Sequence, residues 1–212
     1  MSIPLRSLLF PCLILLLSAC SLLPESSPVS IYTLPASPAD KNTDQNTATL
    51  DWSVRVMTPY ANQTLDSTRI AVIPEANQIS HYKDARWSDR APVLLRERLI
   101  DALRSDGRIK TITGDTSLLA ADTELSGELY AFQSEYHDGR PEIHIRLDAQ
   151  LIQQNTRKVL ASHRFEVRLA SPETDIKSIV RSFGSACDKL TQEMTAWTIH
   201  ILQNQPRGDN HD

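Results

Sequence analysis

Two hydrophobic periods divide the chain. Ile143, Ile145, Leu147, Ala149 and Leu151 alternate with His144, Arg146, Asp148 and Gln150. Val159, Ala161, Phe165, Val167 and Leu169 repeat the pattern, with His163 in register. A period of two marks a strand with one buried face. The polar segments HDGRP (137–141) and QNTRK (154–158) fall between such runs as hairpin turns, so Thr123–Ala170 predicts an antiparallel meander. Tyr130, Phe132 and Tyr136 alternate with Leu125, Gly127, Leu129 and Ala131. Simple alternation therefore sets these three aromatics on the face that should meet water. Either they form an interface, or the tether or the IYTLP segment (31–35) covers them.

From Thr174 to about Asn204 the period changes. Ile176, Val180, Phe183, Cys187, Leu190, Met194, Trp197 and Ile201 recur at intervals of four and three, one apolar stripe along a helix. The stripe suits a helix lying across the sheet as core, and its heptad spacing also suits a seam with a second subunit. Upstream, Ser53–Met57 and Arg69–Ile73 are short β-branched runs ended by nearby prolines, and Ile79–Lys83 reads as another strand. Leu95, Leu99 and Leu103 space the apolar side of a shorter helix. Ser88 or Asp89 is its expected cap, Pro92 lies in its first turn, and Gly107 supplies the left-handed position beyond its end.

The predicted fold is an α/β (α+β) single domain over 51–204, an antiparallel-rich mixed sheet with two main helices packed on one face. Leu147, Phe165, Phe183, Leu190 and Trp197 are its expected core. Residues 205–212 read as a disordered tail.

The start of the chain sets the compartment. Arg6 is the only charge before the apolar run LLFPCLILLL (8–17). That run is well short of the roughly 20 residues that span a bilayer. It closes on Leu17-Ser18-Ala19-Cys20, which resembles the bacterial lipobox. The resemblance implies a lipoprotein signal peptide over 1–19 and acylation of Cys20 as the lipid anchor. Each buried methylene contributes roughly 0.8 kcal/mol, and two acyl chains already anchor stably. By resemblance to the enteric sorting rule, Ser21 directs the protein to the outer membrane. Residues 20–50 read as a tether, with Pro24, Pro28, Pro35, Pro38 and the polar run DKNTDQNTAT (40–49). Within it, residues 31–34 form a possible first strand.

The chain has 22 basic and 26 acidic side chains. Removing Arg6 takes 22 to 21 and the net charge from −4 to about −5. An acidic body outside the cytoplasm argues against nucleic-acid binding. The six histidines form no HExxH pair, and no GxSxG elbow or phosphate-cradling glycine loop occurs. Cys187 lies on the helical stripe as a buried thiol, and with Cys20 acylated no intramolecular disulfide can form. No catalytic residue, metal site or cofactor is expected.

The segment HYKDARWSDRAP (81–92) is dense in charge and aromatics. Trp87 stands where a hydrophobic staple would pack it into the core, and Arg86 and Arg90 are expected to pair with Asp84 and Asp89. The run RIAVIPEANQISHYKDARWSDRAPVLLRERLIDAL, the segments LSGELYAFQSEYHDG and RLDAQLI, and the AW at 196–197 resemble the ABC-type transport auxiliary lipoprotein family. The likeness covers roughly 30–202, with Tyr82, Trp87 and Pro92 its most specific part.

That resemblance implies a homo-oligomeric lipoprotein of the outer membrane, facing the periplasm. It would work with a mammalian-cell-entry (MCE) domain protein and a lipid-transporting permease of the inner membrane. Tyr82, Arg86, Trp87, Tyr130, Phe132 and Tyr136 are the candidate partner-binding residues. A regulator of a cell-wall synthase and a lipid-handling enzyme remain as other readings.

Overall fold

Strand β7 (Thr123–His137) organises the sheet. One edge pairs antiparallel with β8 (Arg140–Gln153), which pairs antiparallel with β9 (Val159–Ala170). The other edge meets three strands in succession, all parallel to it. These are β2 (Leu50–Val56) at Thr123, β3 (Tyr60–Ala61) at Glu128, and β4 (Arg69–Glu75) at Gln133. Outside them lie β6 (Ile109–Gly114) on β2, β5 (Gln78–Trp87) on β4, and β1 (Ser30–Tyr32) on β5. The computed structural model describes residues 28–36 and 48–205. The predicted signal peptide, Cys20, most of the tether and nearly all of the tail lie outside the described residues. Among the described residues the result is one α/β domain with a mixed sheet of nine strands. The long ladders are antiparallel and the short ones parallel.

Helices α1 (Ala91–Asp106) and α2 (Ile176–Gln203) pack on the same face. Leu95, Leu99 and Leu103 of α1 are buried, and Gly107 ends the helix at φ 75°, the left-handed position expected of it. The α1 cap departs from expectation. Arg90 occupies that position with no side-chain cap, because the Asp89 carboxylate accepts from the Arg90 N–H instead (2.6 Å). Helix α2 is capped by Asp175, whose carboxylate accepts from Lys177 and Ser178 N–H at 3.0 and 3.1 Å.

Leu147, Phe165, Phe183 and Leu190 are buried as expected, but Trp197 is only half-buried. The reason is helical pitch. A stripe repeating every 3.5 residues drifts about 20° per heptad around a helix of 3.6. By the last turns the buried residues are Met194, Thr198, Ile199 and Leu202, while Trp197 and Ile201 have rotated toward the rim.

Two further differences concern strands. Segment 81–87 belongs to β5, which continues to Trp87 through an irregularity where Asp84 adopts φ 55°. In β7, Leu129 opposes Leu147 and Ala131 opposes Arg146, leaving Tyr130 as an extra, unpaired residue. This β-bulge inverts the alternation. Before it, Leu125 and Leu129 face the helices; after it, Phe132 and Ser134 do.

Candidate functional site

The bulge separates the six candidate residues. Phe132 and Trp87 are 1% and 2% exposed. Their ring centroids lie 6.1 Å apart, and 5.1 and 5.2 Å from Phe183 of α2. These three rings form an aromatic cluster between sheet and helix. Phe132 and Trp87 therefore present no surface to a partner, and the expectation that Phe132 meets water is corrected. Tyr136 also lies on the helix side of the sheet. The Tyr82 hydroxyl donates to Ser134 Oγ (3.2 Å) and approaches the Tyr136 hydroxyl (3.4 Å), and burial pushes the Tyr82 phenol well above its ordinary range.

Only Tyr130 and Arg86 stand on the open face, opposite the helices. Tyr130 is 41% exposed, with the Arg146 guanidinium 4.9 Å above its ring and its hydroxyl donating to Glu128 (2.8 Å). Arg86 does not pair with Asp84; its guanidinium donates to the Ala85 carbonyl at 2.8 Å. Arg90 reaches Asp66 rather than Asp89.

Strand register reads the open face in rows. Tyr60, Glu128, Asp148 and Arg164 form one row, and Arg164 grips Asp148 with two 2.7 Å bonds. His81, Ala71, Gln133, His144 and Arg168 form another. The His144 ring lies between Glu135 (2.7 Å) and Glu166 (2.8 Å), and Arg168 bonds Glu135 at 2.9 Å. Burial pushes the Glu135 carboxyl up, but bonds from Arg168, His144 and Gln133 outweigh it and hold the group at about 2. These side chains take their hydrogen-bond partners from one another.

The open face also carries apolar groups that periodicity did not reveal. Leu118 is fully exposed, and Leu119 and Tyr60 largely so. The loop between β6 and β7 holds the two leucines out from pinned ends. Asp115 accepts from Thr58 N–H (3.0 Å) and Arg96 (2.5 Å), and Asp122 accepts from Ser53 N–H (2.7 Å). Arg55 donates to the Leu119 carbonyl between them. Sequence alone cannot tell an exposed leucine pair in an aperiodic loop from a buried one.

Reactive chemistry is sparse among the described residues. They contain no group of His, Cys, Asp or Glu able to hold a metal. Cys187 is fully buried, and burial pushes its thiol up to about 12. A cleft between the helices and β7, lined by Leu95, Leu99, Leu125, Leu147 and Met194, encloses about 10 Å³. That is space for about one water and far too little for an acyl chain. No helix among the described residues is long and apolar enough to cross a membrane.

The open face thus carries exposed Tyr60 and Tyr130 beside ion pairs formed within the sheet. Residues 32–195 match the family described as the ABC-type transport auxiliary lipoprotein component, and the chain belongs to that family. Its fold is similar to the crystal structure of protein XCC0632 from Xanthomonas campestris. The TM-score is 0.73 at 26% identity, over 82% of this chain and 97% of that one. A second crystal structure, of an uncharacterized protein, is similar at a TM-score of 0.64 and 15% identity, over 81% of this chain and 99% of the other. An uncharacterized protein of Bradyrhizobium diazoefficiens, bll6063, is 26% identical over 76% of the chain. The match spans only 44% of that relative's length.

Proposed function

We propose that this protein is a non-catalytic auxiliary lipoprotein of an MCE-type ABC system that moves lipid between membranes. It is anchored by Cys20 to the periplasmic face of the outer membrane and acts as a homo-oligomer. Membership of the auxiliary lipoprotein family over 32–195 carries this reading. The surface supports it: Tyr60, Leu118, Leu119 and Tyr130 are exposed on the open face, while the thiol is buried and the cleft is too small for lipid. In this reading the chain works by docking and makes or breaks no bond in the cargo.

Affinity capture of the lipidated chain from detergent-solubilised envelopes tests the partner. The expected result is recovery of an MCE-domain protein with its permease. Recovery of a penicillin-binding protein instead would move the chain to cell-wall synthesis. Light scattering of the captured lipoprotein should give a mass above that of one chain. A strictly monomeric protein that captures no MCE-domain partner would end the proposal.

A further inference from the structure

Cross-strand register on the open face sets Arg69 of β4 opposite Arg86 of β5. Like charges at such a pair repel across about 5 Å between Cβ atoms and destabilise the ladder. Neither guanidinium has a carboxylate partner among the described residues. The Arg86 side chain bonds only the Ala85 carbonyl, and Arg69 uses only its backbone N–H, toward Ser67. Elsewhere Arg90, Arg96, Arg98, Arg108, Arg164 and Arg168 each hold an acidic side chain. His81 joins the pair from the next row. Burial, then the charges of Arg69 and Arg86, press its imidazole below the ordinary range, and its buried Nε2 has no hydrogen-bond partner. On a chain of net negative charge, this corner of the sheet is locally positive.

Apolar side chains flank the charges. Strand β1 sets Ile31 in register with Arg86, and Ile31 is 72% exposed. Val29, 50% exposed, precedes it by two residues, and Ile79 is exposed two residues before His81. Cationic groups interleaved with apolar ones match the boundary of a bilayer, where guanidiniums bond phosphates and apolar groups enter below them.

Position selects the occupant. Eight residues separate Cys20 from Val29. A chain of that length reaches no further than about 30 Å even when fully extended. The anchor therefore keeps the β1 edge beside the lipid. The Leu118–Leu119 loop precedes Thr123, whereas β1 lies level with about Phe132 of β7. At 3.3 Å per residue the two are on the order of 30 Å apart along the sheet.

We infer that the open face of β1, β5 and β4, with Arg69, Arg86, His81, Val29, Ile31 and Ile79, seats on the phosphate headgroups of the bilayer that holds the anchor. The inference rests on the lipid anchor at Cys20 and is independent of the transport partner. Seating by that corner alone, with the sheet tilted away from the bilayer, leaves the Leu118–Leu119 loop, on the order of 30 Å along the same face, clear of its own membrane.

The test uses the full lipidated chain, with acylation confirmed by mass before reconstitution. A fluorophore is placed on Ile31→Cys or, separately, on Leu118→Cys; the buried Cys187 stays unlabelled. Vesicles of phosphatidylethanolamine and phosphatidylglycerol carry a headgroup spin label as quencher. Quenching is expected at position 31 and not at 118, and Arg69→Glu with Arg86→Glu should abolish it without lowering the unfolding temperature. Equal quenching at both positions, or quenching at 31 that survives the double reversal, would overturn the inference. So would two outcomes that reassign the face. One is cross-linking between position 31 of two copies without quenching, which gives the face to a second copy. The other is saturable binding of inorganic phosphate to the Cys20→Ala chain while the lipidated chain shows no quenching, which gives it to a soluble anion.

Discussion

Tyr130 and Phe132 are two residues apart on one strand, yet they should respond to substitution in opposite ways. Phe132 is enclosed by Trp87 and Phe183, so Phe132→Ala leaves a cavity and is expected to cost about 3–5 kcal/mol in denaturant unfolding. Tyr130→Ala removes an exposed ring under Arg146 and a surface bond to Glu128, and should cost no more than about 1 kcal/mol. Equal losses would mean that the bulge does not separate them. Glu135 supplies a pH dependence at the same scale. Its folded value of about 2 lies below the ordinary 4.5, so its ionised form favours the native state. The contribution is complete above about 4.5 and is lost as pH falls from there through about 2. Thermal unfolding of Glu135→Gln should therefore lose the part of the acid slope that the native chain shows in this window. Asp115, Asp148 and Asp175 are also lowered and will leave a residual slope in the same direction. An unchanged slope in the variant would remove Glu135 from the account.

At the scale of elements, the sequence was legible wherever one periodicity ran unbroken. Strand β8 keeps its alternation from Ile143 to Leu151, and both hairpin turns fall where polar residues interrupt the pattern. Asp138 and Gly139 both take positive φ in the first turn, as a tight hairpin requires. Strand β7 misleads because its bulge carries no glycine or proline signal. The inversion follows from tertiary packing, with Trp87 and Phe183 closing over Phe132. The α2 stripe was legible at its start and lost by Trp197, through pitch alone. Strands β3 and β6 went unread, the former because two residues carry no period. The seat of β1 depends on a contact with no sequence signature. A methyl on Gly184 of α2 would lie 2.7 Å from the Pro35 carbonyl oxygen and 3.2 Å from the proline ring. Gly184→Ala should thus lift the segment after β1 while leaving the sheet intact. The Ser88 N–H, which donates to the Tyr32 carbonyl (2.8 Å), reports on this directly. Its hydrogen exchange should accelerate while that of β8 does not change. Unaltered Ser88 protection would show that the contact yields without cost.

For the whole molecule, the surfaces divide by distance from the proposed anchor. In the proposed anchoring the β1 edge, which begins ten residues after Cys20, lies nearest the lipid, and the Leu118–Leu119 loop stands about 30 Å away along the sheet. That loop is held at both ends by carboxylates on Thr58, Arg96 and Ser53, so its leucines are exposed yet constrained. Constraint reduces the ordering cost that a binding loop otherwise meets on association. Two leucines transferred from water into a partner each contribute about 1.5–3 kcal/mol, and 1.4 kcal/mol is a tenfold change in affinity. Leu118→Ser with Leu119→Ser should therefore weaken capture of the proposed MCE-domain partner by about tenfold or more. The unfolding midpoint should stay within about 0.5 kcal/mol of the native chain, since neither side chain is buried in it. A loss of stability would place the leucines in a self-contact within the folded body. Undiminished capture would remove the loop from the interface and leave Tyr60 and Tyr130, nearer the middle of the open face, to carry the partner.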